Sequence, residues 1–398
     1  MSYKKVKISD IGKIVSGATP KTKDVDNYGG SIAWITPADL SGYTSKYISH
    51  GSRNITQKGY DSCSTHLMPR GTVLFSSRAP IGYVAIAENP ICTNQGFKSI
   101  VPNDDIDSEF LYYQLQYLRK KIQEKGSGTT FKEISGKVLG ETDIVVPSLE
   151  EQSRIVARIE ELFSELDKAV DTLKTTKEQL EVYRQAVLVD IFSQEHPLRQ
   201  LKEISVALSG FAFKSKNYTP DGKYTVIKIG NVKDGYLDFS RDKTRTNEVT
   251  DRILQKYLLK QGDCLITLTG TRGKRDYGFV SMIERQTDYL LNQRVAALRF
   301  DTMIALPEFF RYYLSSLNYR NQFFKYETGN VGQGNVGIKA LCEPAVPCPP
   351  LDTQKKIVDQ ISDRLSVCDS IEKTVDTALA QADAMRQSIL KQAFEGKI

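Results

Sequence analysis

Apolar residues recur with alternating steps of four and three along two long stretches of this 398-residue chain. In the first stretch they fall at Ile155, Ile159, Leu162, Leu166, Leu173, Leu180 and Val187. A shift of 202 residues carries the same register onto Ile357, Ile361, Ile371, Val375, Met385 and Ile389. Such spacing, sustained over several heptads, predicts two long helices with coiled-coil seams. Neither helix can bury its seam alone, so we expect the two to pack together.

The shared register also bears on their direction. If a pseudo-two-fold axis relates the two stretches, equivalent helices run antiparallel and the globular parts lie at opposite ends of the pair. The alternative is two independent helical hairpins, one in each half of the chain, and the common register would then be a coincidence. We therefore expect the antiparallel pair.

The remainder of the chain is duplicated as well. KISDIGKIVSG (7–17) matches QLKEISVALSG (200–210), and TNQGFKSIV (93–101) matches LNQRVAALR (291–299). The offset between matching segments only rises, from 193 to 202, as expected for one ancestral unit copied with small insertions. The predicted boundaries give two globular segments and two helical segments: 1–147, 148–194, 195–347 and 348–398.

The globular segments contain short β-branched and aromatic runs separated by Gly, Pro, Asn or Asp, which predicts mixed α/β domains. The strand candidates are 31–36, 71–77, 81–87, 224–229, 263–269 and 278–283. One helix per segment is expected, at 109–125 and 308–325. The predicted fold class is therefore mixed α+β, with two tandem α/β domains separated by two long antiparallel coiled-coil helices in a pseudo-two-fold duplication.

Charge follows the same division. Segments 1–147 and 195–347 carry formal net charges of +4 and +7, against −4 for 148–194 and −1 for 348–398. This alternation favours globular parts that face a polyanion and helices that face something else.

Composition excludes several other classes. No run approaches the ~18 apolar residues of a membrane span, and the N-terminus has no apolar signal core, so we expect a cytoplasmic protein without a membrane partner. Six cysteines without a CxxC pair and three scattered histidines make neither a disulfide framework nor a metal site.

Catalytic motifs are also missing. The chain has no GxGxxG after a strand, no P-loop, no HExxH and no (Asn/Asp)-Pro-Pro-(Tyr/Phe). Pro347-Cys348 is better explained as a buried spacer than as a nucleophile, and 270–274 as a basic loop tip than as a phosphate loop. Asn94-Gln95 and Asn292-Gln293 could contact bases, but we favour a role in satisfying buried backbone groups. We predict no catalytic residue, no metal and no cofactor on this chain.

What remains is a set of loops rich in basic, amide and hydroxyl side chains. Arg and Lys pair with guanine, Asn and Gln with adenine, and all of these groups can hold phosphates. The candidate DNA-binding residues are Thr19, Lys21, Lys23, Thr36, Ser41, Tyr43, Ser77, Arg78, Lys214, Lys216, Arg241, Lys243, Arg245, Arg272, Lys274, Arg275, Gln333 and Asn335.

These segments resemble the specificity subunit of type I restriction-modification systems. In the first half the resemblance lies in SGATPKTKDVDNYGGSIAWITPADL (16–40), SSRAPIGYVAI (76–86), TNQGF (93–97) and VPSLEEQSRIV (146–156). In the second half it lies in SGFAFKSKNY (209–218), IKIGNVKDGYLDF (227–239), ITLTGTRGKRDYGFV (266–280) and GNVGQGNVGI (329–338).

The resemblance implies two target-recognition domains, 1–147 and 195–347, and two conserved helices, central (148–194) and C-terminal (348–398). Each domain would contact one half of a split site on double-stranded DNA, and because the loops of the two domains differ, we expect an asymmetric site. The subunit itself would not be catalytic. Two methyltransferase subunits, which use S-adenosylmethionine to make N6-methyladenine, would dock on it, and restriction subunits would bring ATP and Mg.

Two other functions stay open at this point. A stand-alone enzyme such as a fused methyltransferase would need a cofactor-binding sheet, for which the chain has neither room nor motif. A specificity scaffold of a methyltransferase-only complex, or of another DNA-binding defence complex without a nuclease, would have the same sequence features.

Overall fold

The structure, a computed structural model, describes residues 4–128, 132–330 and 332–398. The chain forms two compact units, one from Met1–Leu173 with Thr377–Ile398 and the other from Lys174–Asp376. Each unit therefore combines a globular part with portions of both long helical segments. The predicted division into four segments stays a prediction. The two compact units follow a different division, because each of them contains part of both long helices.

The first globular part is a mixed α/β fold. Its strands are β1 (Lys4–Lys7), β2 (Gly12–Ser16), β3 (Tyr28–Ile32), β4 (Trp34–Ile35), β5 (Tyr47–Ile48), β6 (Val73–Phe75), β7 (Val84–Ala87), β8 (Cys92–Thr93), β9 (Lys98–Pro102) and β10 (Asp143–Val146). Its helices are α1 (Ile8–Ile11), α2 (Gln57–Asp61), α3 (Ser108–Glu124) and α4 (Gly136–Gly140), followed by the long helix α5 (Leu149–Phe192). The main sheet has the order β2-β9-β6-β7-β5, antiparallel except for the β5–β7 pair.

The second globular part repeats this plan. Its strands are β11 (Leu198–Gln200), β12 (Ser205–Ser209), β13 (Tyr224–Ile227), β14 (Arg245–Thr246), β15 (Cys264–Thr267), β16 (Thr269–Gly270), β17 (Val280–Met282), β18 (Tyr289–Leu291), β19 (Val295–Phe300), β20 (Gly334–Asn335) and β21 (Ala345–Pro347). Its helices are α6 (Leu201–Ile204), α7 (Asp251–Tyr257), α8 (Pro307–Ser315), α9 (Leu317–Phe323) and α10 (Ile338–Leu341), followed by the long helix α11 (Leu351–Phe394). The sheet order β12-β19-β15-β17 matches β2-β9-β6-β7 of the first part.

The predicted fold class is confirmed, with differences in detail. Short 3-10 turns occur at Val25–Asn27, Pro37–Leu40, Ser215–Asn217, Ile229–Asn231 and Phe324–Tyr326. The single helix predicted at 308–325 is instead two helices, because the chain turns at Ser316, whose hydroxyl accepts the Tyr319 N–H and caps α9.

Each long helical segment is one uninterrupted helix of 44 residues, so the hairpin alternative is wrong. In the second unit, ion pairs join rising residue numbers on α5 to falling numbers on α11, so the helices are antiparallel there. In the first unit, Ile155 near the start of α5 shares a buried core with Phe394 at the end of α11, which gives the same direction. The ion pairs are Asp167–Arg386 in the first unit, and Lys177–Asp376 (2.8 Å), Arg184–Asp369 (2.7 Å) and Asp190–Arg364 (2.9 Å) in the second.

The helices also complete the core of each unit. In the first, Phe394 near the end of α11 packs edge-to-face against Phe110 of α3, with ring centroids 5.5 Å apart. In the second, Phe192 at the end of α5 packs against Phe309 of α8 in the same way, at 5.4 Å. Aromatic burial of this kind is among the larger contributions to a core.

The predicted seam needs one correction. Ile371 and Met385 are exposed, at 40% and 53% of their surface, and the packed positions are the next residues, Glu372 and Arg386. Glu372 accepts a hydrogen bond from Arg184 at 2.9 Å, and Arg386 lies 5.0 Å from the ring of Phe163. A hydrophobic pattern could not select these positions, because charged side chains fill them.

The other predicted seam residues are at least partly covered. Those that are buried are Ile155, Ile159, Leu166, Val187, Ile357, Ile361 and Val375, and those that are half-buried are Leu162, Leu173, Leu180 and Ile389.

A buried glutamine ties the start of each long helix to its globular part. Gln152 accepts the Asp107 N–H at 2.8 Å and donates to the Asp105 and Pro147 carbonyls. Gln354, 202 residues later, accepts the Leu306 N–H at 2.7 Å and donates to the Ile304 and Pro349 carbonyls. Both side chains are fully buried, so backbone groups that would otherwise lack a partner are satisfied at both helix starts.

A second duplicated feature is a glycine that lets two loops touch. A Cβ on Gly17 would lie 2.0 Å from the Thr93 carbonyl oxygen, and one on Gly210 would lie 1.9 Å from that of Asn292. Only glycine allows such close approach of two backbones.

We predict that Gln354→Leu destabilises the protein by about 2–3 kcal/mol, because one buried N–H and two buried carbonyls lose their partner. Chemical denaturation of the full chain measures this effect. Gln360→Leu, at an exposed position of the same helix, is the control and should change stability far less. Equal effects of the two substitutions would show that the buried amide contributes nothing specific.

We predict that Gly210→Ala lowers the melting temperature, since the methyl group must push the Asn292 backbone aside at a cost of about 1–3 kcal/mol. Gly230→Ala is the matched control, because a Cβ there has no atom within 4 Å. Thermal unfolding followed by circular dichroism compares them, and a Gly210→Ala protein as stable as the control would refute the close-packing argument.

Candidate nucleic-acid interface

The glycine contacts fix one pair of loops in each unit. In the first, Ala18 N–H donates to the Thr93 carbonyl at 3.0 Å, and Thr19 hydrogen-bonds Gln95. In the second, Phe211 N–H donates to the Leu291 carbonyl at 2.9 Å, and Gln293 N–H donates to the Phe211 carbonyl at 3.1 Å. The loops after β2 and β12 are thus held against the duplicated Asn-Gln segments.

These amides divide into two roles. Asn94 accepts the Gly96 N–H through its Oδ1 atom at 2.8 Å, which is the backbone-satisfying role expected from the sequence. Gln95 and Gln293 are exposed and sit beside the first loop of their unit. Their side chains are therefore available at the surface.

In the loop 36–43, two predicted contact residues have structural partners. Thr36 donates its hydroxyl to Asp39 at 2.7 Å, and the same carboxylate accepts the Ser52 N–H at 2.8 Å. Burial alone would raise the pKa of Asp39, but the hydrogen bonds from Thr36 and Ser52 lower it. Tyr43 is exposed and donates its hydroxyl to the Tyr47 carbonyl at 2.5 Å.

Ser77 requires a correction. It is fully buried, and its backbone N–H donates to the Gly96 carbonyl at 2.7 Å, so its side chain cannot contact DNA without a rearrangement. A serine flanked by Ser76 and Arg78 looks like an exposed loop residue in the sequence, but here it follows the inner strand β6 by two residues and is covered. Arg78 is half-buried and faces Glu133, 3.6 Å away.

The corresponding position in the second unit carries a larger basic loop. Strand β16 pairs with β20, with Thr269 opposite Asn335 and Gly270 opposite Gly334. This pairing places the loop 269–276 beside the loop 327–335, and both contain predicted contact residues. Val331, within the second loop, lies outside the described residues.

The three cations of the 269–276 loop differ in their partners. Arg272 donates to the Gly329 carbonyl at 2.6 Å, and Arg275 donates to Asn321 at 2.9 Å. Lys274 is exposed; its backbone N–H donates to the Thr271 carbonyl, but its side chain makes no hydrogen bond or ion pair with any described residue. Asp276 accepts the Thr271 N–H at 2.7 Å, and this hydrogen bonding lowers its pKa. An ordered backbone therefore presents one unpaired lysine.

The remaining candidates are scattered over the surface of their own unit. Lys21, Lys23 and Ser41 in the first unit, and Lys214, Lys216, Arg241, Lys243 and Gln333 in the second, are exposed. Asn335 is half-buried in β20, and Arg245 is half-buried in β14. Which of them contact DNA stays a prediction.

Two supporting residues were missed by the sequence analysis. Arg320 donates to the backbone carbonyls of Gly278 (2.7 Å) and Arg275 (3.0 Å). Glu327 accepts the Tyr277 hydroxyl at 2.8 Å. Neither lies in a recognisable motif, because their partners are more than 40 residues away in the sequence, and only the fold brings them together.

The catalytic alternatives find no support in the described residues. Cys348 is buried, its thiol lies 3.6 Å from the Ile304 carbonyl oxygen, and burial raises its pKa, all of which disfavour a thiolate nucleophile. Among these residues, no group of three His, Cys, Asp or Glu side chains is placed to hold a metal ion. None of the helices they form is long and apolar enough to span a membrane.

Comparison with known proteins agrees with the geometry. The family model described as "Type I restriction modification DNA specificity domain" matches twice, over residues 2–182 and 195–381. A type I restriction enzyme specificity subunit of Methanocaldococcus jannaschii, MjaIX, is 46% identical over 177 residues, which are 44% of this chain and 40% of that protein. The Escherichia coli EcoBI specificity subunit is 22% identical over 426 residues, spanning 100% of this chain and 86% of that protein.

Solved structures show the same fold. A chain from a study of complex assembly and conformational transition of the type I R-M system aligns with a TM-score of 0.71 and 18% identity, covering 100% of this chain and 98% of that one. The HsdS subunit from Thermoanaerobacter tengcongensis aligns at a TM-score of 0.50 and 20% identity, covering 100% and 97%. Since the family model covers most of the sequence in two tandem copies, the chain belongs to the type I restriction-modification DNA specificity domain family.

Proposed function

We propose that this chain is the DNA-recognition subunit of a type I restriction-modification complex and that each globular part contacts one half of a split site. The observation that carries the proposal is the same loop framework built twice on two equivalent sheets. Gly17 and Gly210 fix one loop of each copy, and the turns after β6 and β15 supply another. Binding residues lie disproportionately on loops that a rigid scaffold positions, and base edges are read by side chains that reach the groove.

The two halves of the site differ in this proposal. The turn after β6 has Arg78 facing Glu133, whereas the turn after β15 carries three cations and one of them is unpaired. Because base contacts depend on the side chains that reach the groove edges, different loops select different bases. The site is therefore asymmetric.

The paired helices serve as spacer and docking surface in this proposal. On the part of the pair in the second unit, Val182, Tyr183, Val367 and Ile371 are exposed apolar residues. Apolar side chains on a surface of acidic net charge favour a protein partner over DNA. That partner is a pair of adenine-N6 methyltransferase subunits, through which restriction subunits join the complex.

The chain itself is not catalytic in this scheme. S-adenosylmethionine binds to the methyltransferase subunits, and ATP and Mg bind to the restriction subunits. This chain selects the DNA sequence at which they act.

The proposal predicts the result of mapping methylated adenines in a methylation-free bacterial host. A split, asymmetric motif should appear only when this chain and the methyltransferase encoded beside it are expressed together. A palindromic motif would contradict the asymmetric reading, and methylation by this chain alone would reveal an active site of its own. No methylation with a folded methyltransferase present would favour a scaffold of another kind.

A second prediction concerns the salt dependence of DNA binding. Lys274→Ala should weaken binding to a duplex that carries the mapped site and lower the slope of log affinity against log salt by about one, since one phosphate contact is lost. Arg272→Ala is the comparison, because that guanidinium already binds the Gly329 carbonyl. An unchanged affinity and slope for Lys274→Ala would remove this lysine from the interface.

A further inference from the structure

A single side chain from helix α9, that of Arg320, holds the 269–276 loop. Arg320 of α9 donates through Nη1 to the Gly278 carbonyl at 2.7 Å, and through Nη2 to the carbonyls of Arg275 and Tyr277 at 3.0 and 3.1 Å. These carbonyls lie at and just after the C-terminal end of the loop. One guanidinium therefore fixes the backbone at three positions within residues 275–278.

Arg320 is surrounded mainly by aromatic rings and by the backbone carbonyls that it holds. Its guanidinium lies 5.5 Å from the ring centroids of Phe279 and Phe324, and no described carboxylate is within ion-pair distance. Arg320 is half-buried, and burial lowers its pKa, whereas the charge of Asp234 acts in the opposite direction. An arginine whose guanidinium hydrogen bonds go to backbone carbonyls stabilises a backbone conformation.

Glu327 also holds the loop, at its middle and just after its C-terminal end. Its carboxylate accepts the Tyr277 hydroxyl at 2.8 Å and lies 3.4 Å from the Gly273 N–H. Arg275 adopts a left-handed backbone conformation with φ of 54°, which a side chain other than glycine rarely adopts without support. The contacts from Arg320 and Glu327 supply that support on both sides.

From this arrangement we propose that Arg320 is a positioning residue that holds the 269–276 loop in the conformation in which Lys274 meets DNA. The inference rests on the proposed function and extends it to a specific residue. Arg320 does not touch DNA itself. Because Arg320 orders the loop before DNA binds, no free energy of binding is lost to ordering it. Substitution of Arg320 should therefore weaken DNA binding at the second half-site alone.

The first unit supplies an internal comparison. Arg119 near the end of α3 lies 5.9 Å from the ring of Tyr83, much as Arg320 lies beside Phe279. The neighbouring loop there is the shorter turn with Arg78, which faces Glu133. Arg320→Gln should therefore leave binding of the first half-site unchanged.

The experiment uses the full chain assembled with its methyltransferase and two duplexes, each with one half of the mapped site scrambled. Arg320→Gln should raise hydrogen exchange of the 271–278 amides and weaken binding of the duplex with an intact second half about ten-fold. Arg320→Lys keeps the charge without the planar fork and should fall between wild type and Arg320→Gln. Lys325→Gln removes one exposed charge from the same segment and should leave the exchange of the loop unchanged.

Each outcome decides something different. If the wild-type complex binds neither duplex above background, the proposed function fails whatever Arg320 does. If it binds but Arg320→Gln leaves either loop exchange or second-half affinity unchanged, the positioning role is refuted and the proposed function stands. Equal losses on both duplexes for Arg320→Gln and Arg320→Lys would show a general structural role, which also refutes the inference.

Discussion

The antiparallel contact between the two long helices is the interaction on which the rest of this molecule depends. Each helix is a single rod with an apolar seam that it cannot bury alone, and each globular core borrows residues from both rods. Phe394 completes the core around Phe110, and Phe192 completes the core around Phe309. Charged residues in the seam, such as Arg184 between Asp369 and Glu372, favour one register, because a shift would leave the half-buried Arg184 guanidinium without its partners.

The duplication shows which features are the same in both copies and which differ. Both copies keep a buried glutamine at the helix start and a glycine where two loops meet, and these residues act mainly on backbone groups. The side chains of the loop tips differ between the copies, as Arg78 and Lys274 illustrate. A framework that depends on backbone contacts tolerates changes at the tips, and this suits a protein whose two halves select different sequences.

The sequence predicted the features that depend on periodicity and repetition, namely the long helices, the tandem mixed domains and most of the seam. It failed where burial depends on the fold. Ser77 lies inside although its neighbours suggest a loop, and Ile371 gives way to Glu372 in the seam because an arginine on the other helix compensates the charge. Arg320 left no signal at all, since its partners are carbonyls that any residue could supply.

The proposed function requires that the two copies contact DNA independently of each other and in the same manner. The most direct test is the adenine methylation motif produced by a chain in which residues 195–347 replace residues 1–147, expressed with the methyltransferase. Since equivalent helices run in opposite directions, two identical copies should contact opposite strands. The expected motif is a palindrome built from the second half of the natural motif. A motif that retains the natural first half, or an asymmetric one, would contradict it.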